Sequence, residues 1–451
     1  MENIFDLRSY IEVLRKKGKL VEVEKPVALK HELAQVAAAI IRQGYGAAFF
    51  SQPGESNIPV FTGGVATPEL ASLALNCEPK QITEVLGRAI DPANGIAPKP
   101  SETAGWKKNV FTGKDVDLYS LPIPIHATHD GGPFITGAVT VTKDPVSGRG
   151  NLSYNRMQVF DKDKMGFNMN IWRHTMQFYT GQEALGKPLQ VAAAIGLDPA
   201  ITIAAGARYD DDELRIAGAI RGKSIPVTKG VTVDINIPSD AEIVIEGYLE
   251  PNERHPEGPL AEFHGYYGEL WEMPVFHVTA ICYRDNPIFQ TMIPGFYEHI
   301  YIGNVLPREP LLTRFARHVS QQVLDVHIPP YGCGFSAYVQ LEKGNPGEPK
   351  NVALATLTAH VNVKTVIVVD PDVDIYDPAD ILWAINTRVD WTRDIFLVPG
   401  AMGHEMDPTG DAQGIHAKVG IDATYKPERR AYGERVRYPN IDLSQYIKTG
   451  R

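Results

Sequence analysis

Two glutamates, Glu257 and Glu262, stand in the stretch PEGPLAEFHGYYGE at residues 256–269, which is too rich in glycine and proline for a regular helix. A solvated surface turn would account for either acid alone. Gly258 and Pro259 between them favour a bent backbone that lets both side chains converge on one pocket. Beside the apolar Leu260, Phe263 and Tyr266, two close carboxylates lose solvation and repel each other, so one can stay protonated near neutral pH. A neutral acid next to an arginine is a working pair: one group gives a proton, the other holds an anion.

Upstream, NLSYNR (Asn151 to Arg156) is a strand-like run of small and polar residues whose backbone can meet a phosphate while Arg156 enters a pocket. His174 follows in WRH, and then the acidic run DDDE at residues 210–213. An amide oxygen, an imidazole and one of these carboxylates together suit a divalent cation. A solvated loop is the plain alternative for the charge run.

Other chemistries are poorly served. YGCGFSA at residues 331–337 has Gly332, Gly334 and Ala337 in GxGxxA spacing. His-Ile-Pro-Pro precedes it and a strand-like AYVQLE follows, so the strand-to-helix setting of a dinucleotide fingerprint is missing. DPDVDIYD at 370–377 alternates acids, but Ile375 stands where a calcium loop needs glycine. There is no GxSxG, and Cys77, Cys282 and Cys333 lack a recognisable nucleophile setting. Three cysteines without CxxC spacing fit a reducing, cytoplasmic location. A formal charge of −10 disfavours nucleic acid or an anionic membrane as partner, and no apolar run reaches the length of a membrane span.

The elements that must position these groups fall into an α+β arrangement. With 451 residues the chain exceeds one compact core. Residues 5–17 and 31–43 have helical spacing, and LVEVEKPV and NIPVFTGG read as short strands, giving an N-terminal α/β segment over 1–110. Then GAVTVTKD, NLSYNRMQVF, LQVAAAIG, ITIAAGA, GVTVDINI, AEIVIEGYLE and PVFHVTAICYRD form a strand-rich, barrel-like middle over 111–306, with residues 172–185 as a helical insertion. A linker helix over 307–326 leads to a C-terminal α/β unit over 327–451. There NVALATLTAH, KTVIVVD and DIFLVPG read as strands, and Asp377 and Pro378 open a helix.

Taken in order, DLRSYIEVLRKKGKLVEVEKPV, NLSYNR with His174 downstream, DELRIAGAIRGKSIPV, AEIVIEGYLEPNERHPEGPLAEFHGYYG, DIYDPADILWAINTRVD and AKVGIDAT resemble the UbiD-type decarboxylases that use prenylated FMN. The resemblance covers essentially the whole chain. It implies a split β-barrel flavin-binding domain, a helical linker and a C-terminal oligomerisation domain. It also implies decarboxylation of a small aromatic or heteroaromatic acid. Asn151, His174 and Glu213 match the ligands of Mn2+ bridging to the cofactor phosphate, with K+ held by backbone carbonyls around Leu152 and Ala204 to Gly206. Leu152, Ser153, Tyr154, Asn155, Arg156, Arg173 and Lys418 complete the cofactor-binding set. Arg156, Glu257 and Glu262 match the catalytic Glu-Arg-Glu set. Arg173, His299 and Arg308 are candidates for the substrate end of the pocket. Three basic groups there suit a second carboxylate, as in furan dicarboxylate; a hydroxybenzoate, pyrrole carboxylate or cinnamate-like monoacid is the alternative, and a plain FMN oxidoreductase lies outside the family. A homo-oligomer, dimer or hexamer, and a separate flavin prenyltransferase are the implied partners.

Overall fold

The computed structural model describes residues 2–170, 173–429, 434–436, 438, 441–442 and 445–446. Trp172, expected to open a helix, lies outside them; the helix runs His174–Glu183. The first helix is Leu7–Lys16. Asp6 caps it through the Ser9 amide, Ser9 Oγ returns the bond to the Asp6 amide, and Leu7, Tyr10, Ile11 and Leu14 form its buried face. Strands Leu20–Val23, Ala47–Phe50 and Val60–Thr62 form a four-stranded sheet completed by Phe289–Gln290, which comes from the far end of the middle region.

The middle is a nine-stranded antiparallel sheet in the order Phe134–Ile135, Met157–Asp161, Lys164–Phe167, Trp271–Tyr283, Ile243–Glu257, Leu189–Ile195, Val139–Lys143, Gly150–Tyr154. Asn109–Thr112 adds to Trp271–Tyr283, and Lys99–Pro100 joins a small sheet with Pro226–Lys229 and Asn236–Pro238. The middle unit therefore begins before the expected residue 111. The ladder stays open between its two end strands among the described residues.

Several expected strands are helices. ITIAAGA lies in the helix Pro199–Ala205, wholly buried and capped by the Asp198 carboxylate on the Ala200 amide at 2.8 Å. An all-apolar run has no helical stripe to read, and only the Asp-Pro start marks it. NVALATLTAH lies in the helix Glu348–Ala359. Most of GVTVDINI is turn, with a strand only at Asn236–Pro238. The linker helix is shorter than 307–326: it spans Glu309–Val319, Ser320 turns extended, and Val323–His327 is already a strand of the C-terminal sheet. That sheet runs Val323–His327, Ser336–Leu341, Thr365–Val369, Ile415–Asp422, Ile395–Met402, its three inner strands parallel. YGCGFSA leads into the strand Ser336–Leu341, and Asp370 and Asp372 clasp Arg388 of the helix Pro378–Arg388, which Asp377 caps as expected.

One apolar core joins Leu7 and Leu14, the connection through Ile300, Leu306 and Leu312, and Val339, Val366 and Val368 of the C-terminal sheet. The joint between the units is packed rather than a free linker. Among the described residues no helix is long and apolar enough to cross a membrane.

Candidate active site

Glu257 ends the strand Ile243–Glu257, and Arg156 lies between Gly150–Tyr154 and Met157–Asp161. Glu257 is fully buried. Its Oε1 accepts from Arg156 Nε at 2.9 Å; its Oε2 accepts from Arg156 Nη2 at 2.8 Å and from Asn168 Nδ2 at 2.9 Å. A Cβ at Gly166 would lie 3.0 Å from Glu257 Cγ, so the bare glycine makes room for this side chain. Arg156 Nη1 donates to Glu262 Oε1. The two acids do meet at one place, as expected, but Arg156 stands between them. Each carboxylate faces a cation, so ion pairing opposes the mutual repulsion expected of adjacent acids.

Asn151 and Glu213 are buried, and His174 is half-buried. Asn151 Oδ1 lies 3.1 Å from His174 Nδ1, and Glu213 Oε2 accepts from the Leu152 amide at 2.7 Å. Glu213 thus belongs to a buried wall and not to a solvated loop. Burial pushes its carboxyl up to about 8, and burial, then the charge of Arg149, holds His174 below its ordinary value. A buried acid short of positive charge, beside an amide oxygen and a neutral imidazole, is a donor set that fits a divalent cation. Thr140 Oγ1 and Ser153 Oγ both donate to Asn155 Oδ1, at 2.7 and 2.8 Å, which stiffens the strand that carries the set. The helix that ends at Ala205 packs on this strand, bringing Ala204 to Gly206 to the side of Leu152.

Lys418 does not join the cradle. It is buried on the strand Ile415–Asp422, and its Nζ donates to the carbonyls of Leu357, His360 and Val361, at 3.0, 3.4 and 3.3 Å. Its donors are spent on the end of the helix Glu348–Ala359, where a cation is favoured by the helix dipole. The strand-like AKVGIDAT run is equally compatible with either place, so the sequence did not separate them.

Of the substrate candidates, Arg173 and Arg308 lie within charge range of each other, while the charged group felt most by His299 is Arg156. Arg308 Nη1 is buried and has no hydrogen-bond partner among the described residues. Burial, then the charge of Arg173, holds Arg308 below its ordinary value, and burial lowers Arg173 as well. His299 accepts from the Gly295 amide at Nδ1, 3.1 Å, and burial followed by Arg156 lowers it to about 4. It is therefore neutral, with its proton on Nε2, and only the two arginines carry charge. The sequence reading missed the far wall. His404, lowered to about 4 by burial and then by Arg308 and Arg173, stands 5.5 Å from the Phe263 ring, and Phe335 lies 5.5 Å on another side. His360 is depressed by burial and then by the same arginines. These residues come from the C-terminal unit, which also touches the site through Asn170 Nδ2 to Glu405 Oε1 at 2.8 Å. Lone histidines in distant loops carry no spacing signal that could have revealed them.

An open antiparallel sheet presenting a buried Arg between two Glu, beside an Asn-His-Glu cluster, defines a class that comparison with known proteins makes explicit. The N-terminal, Rift-related and C-terminal domains of 3-octaprenyl-4-hydroxybenzoate carboxy-lyase match residues 11–90, 99–297 and 301–423. Anhydromevalonate phosphate decarboxylase of Methanothermobacter thermautotrophicus is 32% identical over 93% of this chain and 96% of its own. The UbiD-class enzyme HmfF from Pelotomaculum thermopropionicum, solved with FMN, is 36% identical over 98% and 100% of the two chains, with a TM-score of 0.92. An evolved dimeric form of HmfF was solved with prFMN. Apo 3,4-dihydroxybenzoic acid decarboxylase (AroY) of Klebsiella pneumoniae is 30% identical over 99% and 100%, with a TM-score of 0.91. The chain belongs to the UbiD family. It is a decarboxylase, a carboxy-lyase of the UbiD class.

Proposed function

We propose that the chain catalyses reversible, non-oxidative decarboxylation of a small aromatic or heteroaromatic acid with prenylated FMN, and that the acid bears a second anionic group, as furan dicarboxylate does. The observation that carries the second anion is the buried Nη1 of Arg308, without a hydrogen-bond partner among the described residues and within charge range of Arg173. Unpaired buried cations are costly, and an anionic ligand relieves the cost. The FMN and prFMN complexes of HmfF support the cofactor. When bound, prenylated FMN supplies the electron sink that no side chain offers.

The chain's own residues then have separate tasks. Asn151, His174 and Glu213 would hold Mn2+, and carbonyls at Leu152 and Ala204 to Gly206 would hold K+; the two cations would supply the positive charge that a cofactor phosphate needs. Arg156 orients the scissile carboxylate, and Glu257 and Asn168 hold Arg156. Glu262 is tied by one bond where Glu257 is tied by three, so it is the acid free to leave Arg156, take up a proton from solvent and deliver it to the carbon that has lost CO2. Phe263 and Phe335 exclude water. Exposed Leu397 and Met402 on the edge strand Ile395–Met402 support self-association of the C-terminal unit into a dimer or hexamer. A cytoplasmic location and a separate prenyltransferase supplying the cofactor complete the reading.

The named activity of AroY favours a second reading, a hydroxybenzoate-type monoacid, for which the Nε2–H of His299 is a suitable donor. The test is reconstitution with prenylated FMN and Mn2+, followed by CO2 release from furan-2,5-dicarboxylate, 3,4-dihydroxybenzoate, pyrrole-2-carboxylate and cinnamate. Loss of one charge-assisted bond, about 1.5–3 kcal/mol, should make R308Q raise KM for the dicarboxylate about 10- to 100-fold. A dicarboxylate preference unchanged in both R308Q and R173Q would refute the second-anion reading.

A further inference from the structure

Glu262 lies outside regular secondary structure, yet a proton donor must be held within a fraction of an ångström. Its own turn closes locally: Glu262 N donates to Tyr266 O, Gly265 N to Glu262 O and Gly268 N to Leu260 O, at 2.9, 2.9 and 2.8 Å. These bonds fix the shape of the turn but not its place in the protein.

The place is set from a second loop, residues 126–131. Asp130 Oδ1 accepts from the Ala261 amide at 3.1 Å, directly before Glu262. Its Oδ2 accepts from the amides of Ala127 at 2.7 Å and His126 at 3.1 Å, so the carboxylate rivets its own loop to the acid's loop. Next to it, Gly131 N donates to Pro259 O at 2.8 Å, and a Cβ on Gly131 would fall 2.1 Å from Gly258 O. Gly258 N in turn donates to Gln158 Oε1 at 2.7 Å. The His126 ring is anchored through Nε2 to Thr291 Oγ1 at 2.9 Å, in the segment where a Cβ on Gly295 would meet Glu262 O at 2.7 Å. Three loops thus lock around one backbone position; Asp130 bridges two of them directly beside Glu262, and the Tyr267 hydroxyl, accepting from the His129 amide at 3.2 Å, joins the same two farther along.

We infer that Asp130 is a positioning residue for Glu262: its carboxylate, by accepting three amides across two loops, sets where the proton-donating acid stands. The inference rests on the reading of Glu262 as the proton donor. Two carboxylate oxygens can serve three N–H groups; an amide offers one oxygen and turns an NH2 against at least one of them.

The test is a double-mutant cycle on the reconstituted full chain with furan-2,5-dicarboxylate. D130N should lower kcat about 10- to 100-fold with KM within about twofold and with metal and flavin content unchanged. In an E262Q background, D130N should cost less than about twofold more, because the group it positions is already disabled. The same loss in both backgrounds would overturn the inference, whereas near wild-type turnover of E262Q by itself would overturn the donor assignment. If the wild type releases no CO2 from this acid, the substrate reading fails, and amide hydrogen exchange decides for Asp130. Faster exchange in D130N confined to residues 126–131 and 258–263, with 243–257 unchanged, supports it; unchanged exchange at 258–263 overturns it. D130S, whose hydroxyl reaches Ala127 but not Ala261, gives the same comparisons if D130N does not fold.

Discussion

Replacing Glu257 and Glu262 by glutamine, one at a time, separates holding Arg156 from giving a proton. Glu257 is fully buried and its two oxygens take two guanidinium N–H groups and one amide. E257Q keeps the shape but turns an NH2 toward one of these donors and leaves Arg156 with a single carboxylate. Removing one partner of a buried ion pair costs about 3–5 kcal/mol, and the surviving bond to Glu262 places this case near about 3 kcal/mol. At an unfolding entropy of about 2.1 cal/mol/K per residue, a chain of 451 residues shifts by about 1 °C per kcal/mol, so the melting temperature should fall by about 3 °C. E262Q removes one charge-assisted bond, about 1.5 kcal/mol, for a fall of about 1–2 °C. Turnover should rank the other way for the chemical step itself. E262Q should lower kcat about 10²–10⁴-fold with cofactor retained, the usual worth of a general acid. Thermal melts of both variants, with CO2 release from the reconstituted proteins, test the pair. An E262Q protein melting as low as E257Q while turning over normally would refute the division of labour.

Two further outcomes follow from buried acids elsewhere. H174N and E213Q should each lose Mn2+ and flavin together, read by metal analysis and by flavin absorbance after desalting; full flavin retention in metal-free protein would contradict the bridging role. Glu298, buried with the Gly63 and Val65 amides on its oxygens at 2.7 and 3.1 Å, is raised by burial from 4.5 to about 7. The folded protein keeps this proton after the unfolded chain has given it up. Wild type should therefore lose stability relative to E298Q as pH rises from 4.5 to about 7, by roughly 3 kcal/mol in all, with no further change above. A melting-temperature difference between the two proteins that is the same at pH 5 and pH 8 would contradict this.

Local patterns already contained most of the elements and the central motif. Turn-bounded apolar runs marked the cores of the long strands Ile243–Glu257 and Trp271–Tyr283, Asp377-Pro378 marked a helix start, and the Gly-Pro bend announced that Glu257 and Glu262 could converge. Those features are set by neighbours a few residues away, which is what a sequence displays. ITIAAGA was misread because burial on all sides erases the periodicity that distinguishes helix from strand, whereas NVALATLTAH does carry a helical stripe, with Val352, Ala353, Thr356 and Leu357 buried and Leu354 exposed, which the strand reading overlooked. The order of the matching segments was enough to indicate the family.

Long-range packing decided the rest. Only the folded chain interposes Arg156 between the acids, spends Lys418 on a helix end, leaves Arg308 Nη1 without a hydrogen-bond partner among the described residues and brings His404 and Phe335 against Phe263 from the C-terminal unit. Charge, solvation and hydrogen-bond supply at a buried group depend on what packs around it, and here those neighbours arrive from more than a hundred residues away, as Arg156 and Glu257 do. The order of residues along the chain names the groups; their electrostatic state exists only once the three units close on one another.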